Sequence, residues 1–191
     1  KISVLQIATH FSNLVKVSET VTVRHSAGNA IVSIAPLLTL AQRNEIAIEL
    51  TKGLEIGEYE FSKYIPQYLG EFALYLHPDE LDEFINDLKR LLISTNDRVV
   101  CVTLDTLGVI LQHYGVYESR FQERNEKYQE RKKIIMGMIL GGLANYSEAV
   151  NQEAVLIIGQ SVFGSPLLSL NEKKEIFKMM GKKITTLLEN K

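Results

Sequence analysis

Small and apolar residues recur along this chain at i, i+4, i+7 and i+8. Val23, Ala27, Ala30 and Ile31 form one such set, and Val99, Thr103, Thr106 and Leu107 form another 76 residues later. Half that shift, 38, falls on Phe61, Ile65, Tyr68 and Leu69, and 51 residues beyond the later set come Val150, Ala154, Ile157 and Ile158. At 3.6 residues per turn this spacing collects the four side chains into one stripe of a helix. A second series interleaves with the first: Ile46, Ala47, Leu50 and Leu54 map by 38 onto Phe84, Ile85, Leu88 and Leu92. Shifts of 51 and then 41 carry it to Ile135, Met136, Ile139 and Leu143, and to Ile176, Phe177, Met180 and Ile184. Two helix types therefore alternate, and the pattern predicts an all-α chain of about nine helices in antiparallel pairs, read as a single domain over 1–191.

Boundary residues agree with the stripes. Helix starts need side-chain acceptors for free N–H groups, and Asn96-Asp97 and Ser147-Glu148 stand before the third and fourth copies. Pro78 after His77 suits a first helical turn, while Pro36, Gly115 and Gly164-Ser165-Pro166 fall where helices are expected to stop. Pro66 lies inside the second copy, so that helix either kinks there or begins just before it. The charged stretch from Tyr117 to Lys133 holds the extra 13 residues between copies three and four, and predicts an extension of the following helix or a protruding loop. Strand alternation is confined to the β-branched run at Thr20 to Val23.

Val23-Arg24-x-x-Ala27-x-x-Ala30-Ile31 resembles the second-helix signature of HEAT repeats, and Asn96-Asp97 with Leu107-Gly108-x-Ile110 resembles the aspartate turn and closing L-G-x-I of the same pattern. Ser62, Val100 and Asn151 stand where the other copies of the family pattern carry arginine. The resemblance implies a right-handed α-α superhelix, a HEAT-like solenoid in which neighbouring pairs share one core and second helices line a concave face. Its implied function is non-enzymatic: a protein-interaction or scaffold module.

Composition narrows the alternatives. A formal net charge of −2 supplies no overall field to attract phosphate, though residues 1–95 carry a net of −4 and residues 96–191 a net of +2. Cys101 is the only cysteine, which excludes an intrachain disulfide and points to a reducing, cytoplasmic setting. Apolar runs such as Ile134 to Ala144 fall well short of the roughly 20 residues that span a bilayer, so no membrane span is expected. The start at Lys1 without Met is consistent with a piece of a larger protein.

Chemistry-bearing motifs are sparse. His10, His25, His77 and His113 are isolated, so no metal site and no cofactor are expected. Gly159-Gln160-Ser161-Val162-Phe163-Gly164 has Phe where a nucleophile elbow needs Gly. Gly137, Gly141 and Gly142 fall within a helical stripe and suggest close packing or a bend; Asp79-Glu80-Leu81-Asp82-Glu83 suits a helix N-terminus. Arg131-Lys132-Lys133 and the lysines from Lys173 to Lys183 alternate with glutamates, as on a solvated helix face. Tyr59, Tyr64, Tyr68 and Tyr75 are either core filling or interface anchors. Two columns just off the stripe run across the copies: His25, Lys63, Cys101, Gln152, and Asn29, Gln67, Asp105, Leu156. On the resemblance they lie on the concave side, so His25, Asn29, Lys63, Gln67, Asp105 and Gln152 are the candidate residues for binding a protein or peptide. A nucleic-acid partner on the basic C-terminal half and a regulatory segment of a larger enzyme are the other readings.

Overall fold

The computed structural model describes residues 2–56, 58–121, 125–166 and 168–189. Among them there is no strand, and ten α-helices follow one another in two layers. The first layer runs through α1 (Val4–Val17), α3 (Leu40–Lys52), α6 (Pro78–Leu91) and α8 (Asn125–Gly141), each packing on the next. The second runs through α2 (Val21–Ile34), α5 (Ile65–Ala73), α7 (Asp97–Phe121) and α9 (Glu148–Ile157), again each on the next. The short α4 (Tyr59–Ser62) precedes α5, and α10 (Leu170–Glu189) follows a π-helical turn at Ile158–Phe163.

Side-chain acceptors start these helices where free N–H groups need them. The Thr39 hydroxyl accepts from Gln42 N–H while Gln42 Oε1 accepts from Thr39 N–H, and Ser169 and Glu172 make the same reciprocal pair before α10. His77 caps α6 with Pro78 behind it, and Ser147 caps α9. Pro66 sits in the first turn of α5, where its missing N–H costs nothing, so the second copy begins there rather than bending. That split between α4 and α5 raises the helix count above nine.

Most stripe positions lie in the core, although Val23 at the head of the first stripe is 38% exposed. Ala27, Ile65, Thr103 and Ala154, equivalent under the repeat, are at most 3% exposed. So are Ile46, Leu50, Leu88, Ile135 and Ile139 of the first-layer series. One hydrophobic cluster extends from Ala8 to Ile176, and a truncation such as Ile65→Ala would cost about 2–5 kcal/mol through the cavity it leaves. Phe177 departs from the series: it is 69% exposed, resting edge-on against Phe163, and α10 packs on the rest through Ile176 instead. The side chain of Ile184 lies outside the described residues.

Helix α7 differs from the sequence expectation. Gly115 ends nothing: α7 continues to Phe121, so the extra residues lengthen the preceding helix as well as α8. Tertiary contacts hold that extension. Tyr114 stacks on Tyr128 of α8 at 4.5 Å between centroids, and the Tyr117 hydroxyl donates to Leu76 O at 3.1 Å. At 25 residues α7 is also the one helix among the described residues long and apolar enough to cross a bilayer. Within the fold, 67% of its most apolar stretch is buried, between α5 and α9, as in the core helix of a helical stack.

Candidate functional site

The candidate columns occupy the seams between successive second-layer helices. His25 of α2 faces α5, its Nδ1 lying 2.5 Å from the Tyr68 hydroxyl and its ring edge-on to Tyr64 and Tyr68. Lys63, between α4 and α5, donates to Glu60 at 2.7 Å and lies over the Tyr64 ring. Cys101 of α7 points its thiol at Ala149 O of α9, and one turn on Asp105 is hydrogen-bonded to Glu153. Asn29, Gln67 and Gln152 are exposed, Gln152 donating to Glu148 on its own helix, and Leu156 is 56% exposed. The polar columns therefore divide: one part knits neighbouring helices together, the other faces solvent along the same seams.

Electrostatically the α7–α9 seam is the unusual one. Burial first, then the hydrogen bond and negative charge of Glu153, push the Asp105 carboxyl up to about 8. Burial, with Glu153, Asp105 and Asp97 nearby, likewise pushes the Cys101 thiol up to about 11, which keeps it protonated and a poor nucleophile. No group of three or more His, Cys, Asp or Glu among the described residues is arranged to hold a metal.

Most of the cations are tied to the chain itself. Arg24, 2% exposed, donates to Ser18 O in the preceding turn and to Phe61 O of the next copy, with its guanidinium over the Phe61 ring. Asn151 holds the same repeat position and does part of the same work, its amide donating to Gly142 O and Asn145 O in its own preceding turn, both at 2.9 Å. The carbonyls closing the α5 segment are all taken: Leu74 O by Arg120, Tyr75 O by Arg43 and Leu76 O by Tyr117. Those carbonyls carry the negative end of the helix dipole, so cations there are favourable. Arg131 donates to Asp82 at 2.6 Å and to the Tyr114 hydroxyl at 3.0 Å, and buried Lys132 pairs with Glu172 of α10. None of these partners is visible in sequence, because each lies 17 to 49 residues from its donor or in the turn that precedes the donor's own helix.

No known family, no curated protein and no solved structure matches the chain. The site is therefore described by its own geometry.

The remaining sequence candidates are structural. Ser161 is buried beside Gly108, and Tyr68 and Tyr75 pack under His25 and Arg120 rather than standing free. Asp79 and Glu80 occupy the first turn of α6, and Asp82 is the partner of Arg131. The side chain of Tyr59 lies outside the described residues.

Proposed function

We propose that the chain is a HEAT-like α-solenoid working as a non-enzymatic protein-interaction or scaffold module in a reducing, cytoplasmic setting, with a partner protein or peptide bound along the second layer. The observation that carries the reading is the row Asn29, Gln67 and Gln152, solvent-facing side chains drawn from the two adjoining columns on α2, α5 and α9 of the second layer, with α7 between the last two. With helices about 8–10 Å apart, that row covers the length of an extended segment of roughly eight residues. Asp105 and Glu153, neighbours across the α7–α9 seam, add carboxyl groups to the same layer. A protein or peptide partner fits better than a nucleic acid, because Arg24, Arg43, Arg120, Arg131 and Lys132 are committed to the chain's own carbonyls, hydroxyls and carboxylates.

A displayed peptide library selected on the purified chain tests this. Selected peptides should lose about tenfold or more in affinity on the Asn29→Glu, Gln67→Glu, Gln152→Glu triple variant, as when several central contacts are removed. Binders indifferent to the triple variant, salt-dependent binding of duplex DNA or RNA, or reproducible turnover of a substrate by the isolated chain would contradict the reading.

A further inference from the structure

On the first layer, away from that row, α6 and α8 are tied together near the start of α6. There Arg131 is fastened to Asp82 and to Pro78 O. Toward the other end the helices leave a furrow of about 430 Å³. Leu92 and Ile93, just past α6, make one wall, Ile134 and Met138 of α8 the other, and Val100 and Leu104 of α7 the floor. Two features distinguish it from an ordinary gap between packed helices. Gly137 and Gly141, one turn apart on α8, both border the furrow, and a Cβ at either would meet nothing within 4 Å. Ile93 is 84% exposed and Ile134 48%, so large aliphatic side chains stand in water on both rims.

The lining dictates what fits. Apart from Lys89 and Asn145 it offers no polar side chain, and the backbone bordering it along α8 is already hydrogen-bonded within that helix. An extended peptide would bring its own N–H and C=O groups into the furrow without partners, at a cost of several kcal/mol on transfer scales. A helix enters with its backbone already satisfied. Bare glycine backbone on α8 lets such a helix approach more closely than side chains would allow, and the span from Ile134 to Asn145 is roughly 16 Å, about three helical turns. Lys89 is exposed where it borders the furrow, with no ion pair among the described residues, and supplies the charge an occupant would answer with a carboxylate.

We infer that the α6–α8 furrow is a docking groove for a partner protein's amphipathic helix, one that presents about three turns of aliphatic side chains and a carboxylate opposite Lys89. This groove does not depend on the second-layer reading, since the two surfaces share no residue.

The probe is a display library of helical peptides of about 14 residues with a Leu/Ile/Ala face on a Gln background, carrying either Glu or Lys at one end. Affinities are measured on the wild-type chain, on Gly141→Leu and on Lys89→Glu. A side chain at 141 starts in open space at the border of the furrow, since nothing lies within 4 Å of its Cβ, so leucine is the blocking substitution. Unchanged circular dichroism and a urea midpoint at or above that of wild type on Gly141→Leu show that the fold is kept, and Gly137→Leu serves as a second block should the midpoint fall. The expected result is a loss of about tenfold or more on Gly141→Leu, as for a blocked hot spot. Glu-ended peptides should weaken on Lys89→Glu while Lys-ended ones strengthen. Peptides that bind Gly141→Leu as well as wild type would overturn the inference. So would Lys89→Glu leaving the Glu/Lys preference unchanged, or wild-type self-association abolished by Gly141→Leu, which would make a second copy the occupant.

Discussion

Glycines within the second-layer helices and those on α8 do opposite things. Gly70 of α5 lies so close to α7 that a Cβ there would sit 2.6 Å from Val109 Cγ1, and Gly108 of α7 lies so close to the end of α9 that a Cβ would sit 2.7 Å from Ile157 Cγ2. Gly28 of α2 is likewise covered by the Tyr68 ring of α5. Gly70 and Gly108 are 38 residues apart, so the same repeat position opens two successive seams for close approach. In the first layer Gly137 and Gly141 meet nothing, and the space they leave is the α6–α8 furrow. A helical glycine costs roughly 0.5–1 kcal/mol relative to alanine. At Gly28, Gly70 and Gly108 close packing offsets that cost; at Gly137 and Gly141 none does.

Substitutions separate the two cases, and the largest effects belong to the seams. Gly70→Ile and Gly108→Leu drive side chains into α7 and α9 and should each lower stability by about 3 kcal/mol, the upper end for overpacking, as read by urea unfolding. Loss of less than about 1 kcal/mol would mean that the seams are looser than described. The α7–α9 seam also titrates. Asp105 has its pKa raised on folding, so the folded chain binds more protons than the unfolded one between the unfolded value near 4 and the folded value of about 8. Stability should therefore fall as pH rises from 5 to 8, and Asp105→Asn should flatten that decline; a parallel decline in the variant would place the titration elsewhere. Tyr117→Phe removes one hydrogen bond to Leu76 O and should cost about 1 kcal/mol while leaving α7 helical through Gly115. Smallest are Gly137→Ala and Gly141→Ala, which should each raise stability by about 0.5–1 kcal/mol, the reverse sign to the seam glycines.

The stripes were legible because burial obeys the helical period: Ala27, Ile65, Thr103 and Ala154 all lie inside, and the boundaries at Pro78, Asp97 and Ser147 follow from capping chemistry. Gly115 misled because local propensity marked a stop, whereas Tyr114, Tyr117 and Arg120 hold the helix onward through partners far away in sequence. Phe177 misled because the last first-layer helix has fewer neighbours to cover it. The columns from His25 to Gln152 were found by register, but register alone does not say which of two adjoining faces a position serves. The His25–Tyr68 and Asp105–Glu153 contacts place part of those columns in the seams. The furrow left no sequence signal beyond two glycines four residues apart, since an empty space is defined by three helices at once.

The central claim is that second-layer helices stack in one direction, copy after copy, without closing back on themselves. Spin labels at Asn29 and Gln152, both exposed, measure it directly in a Cys101→Ala background. Three successive helix spacings predict a single narrow distance of roughly 25–30 Å. A distance below about 18 Å, two spacings or fewer, would mean that α2 and α9 fold back toward each other, and the stacked account would be wrong.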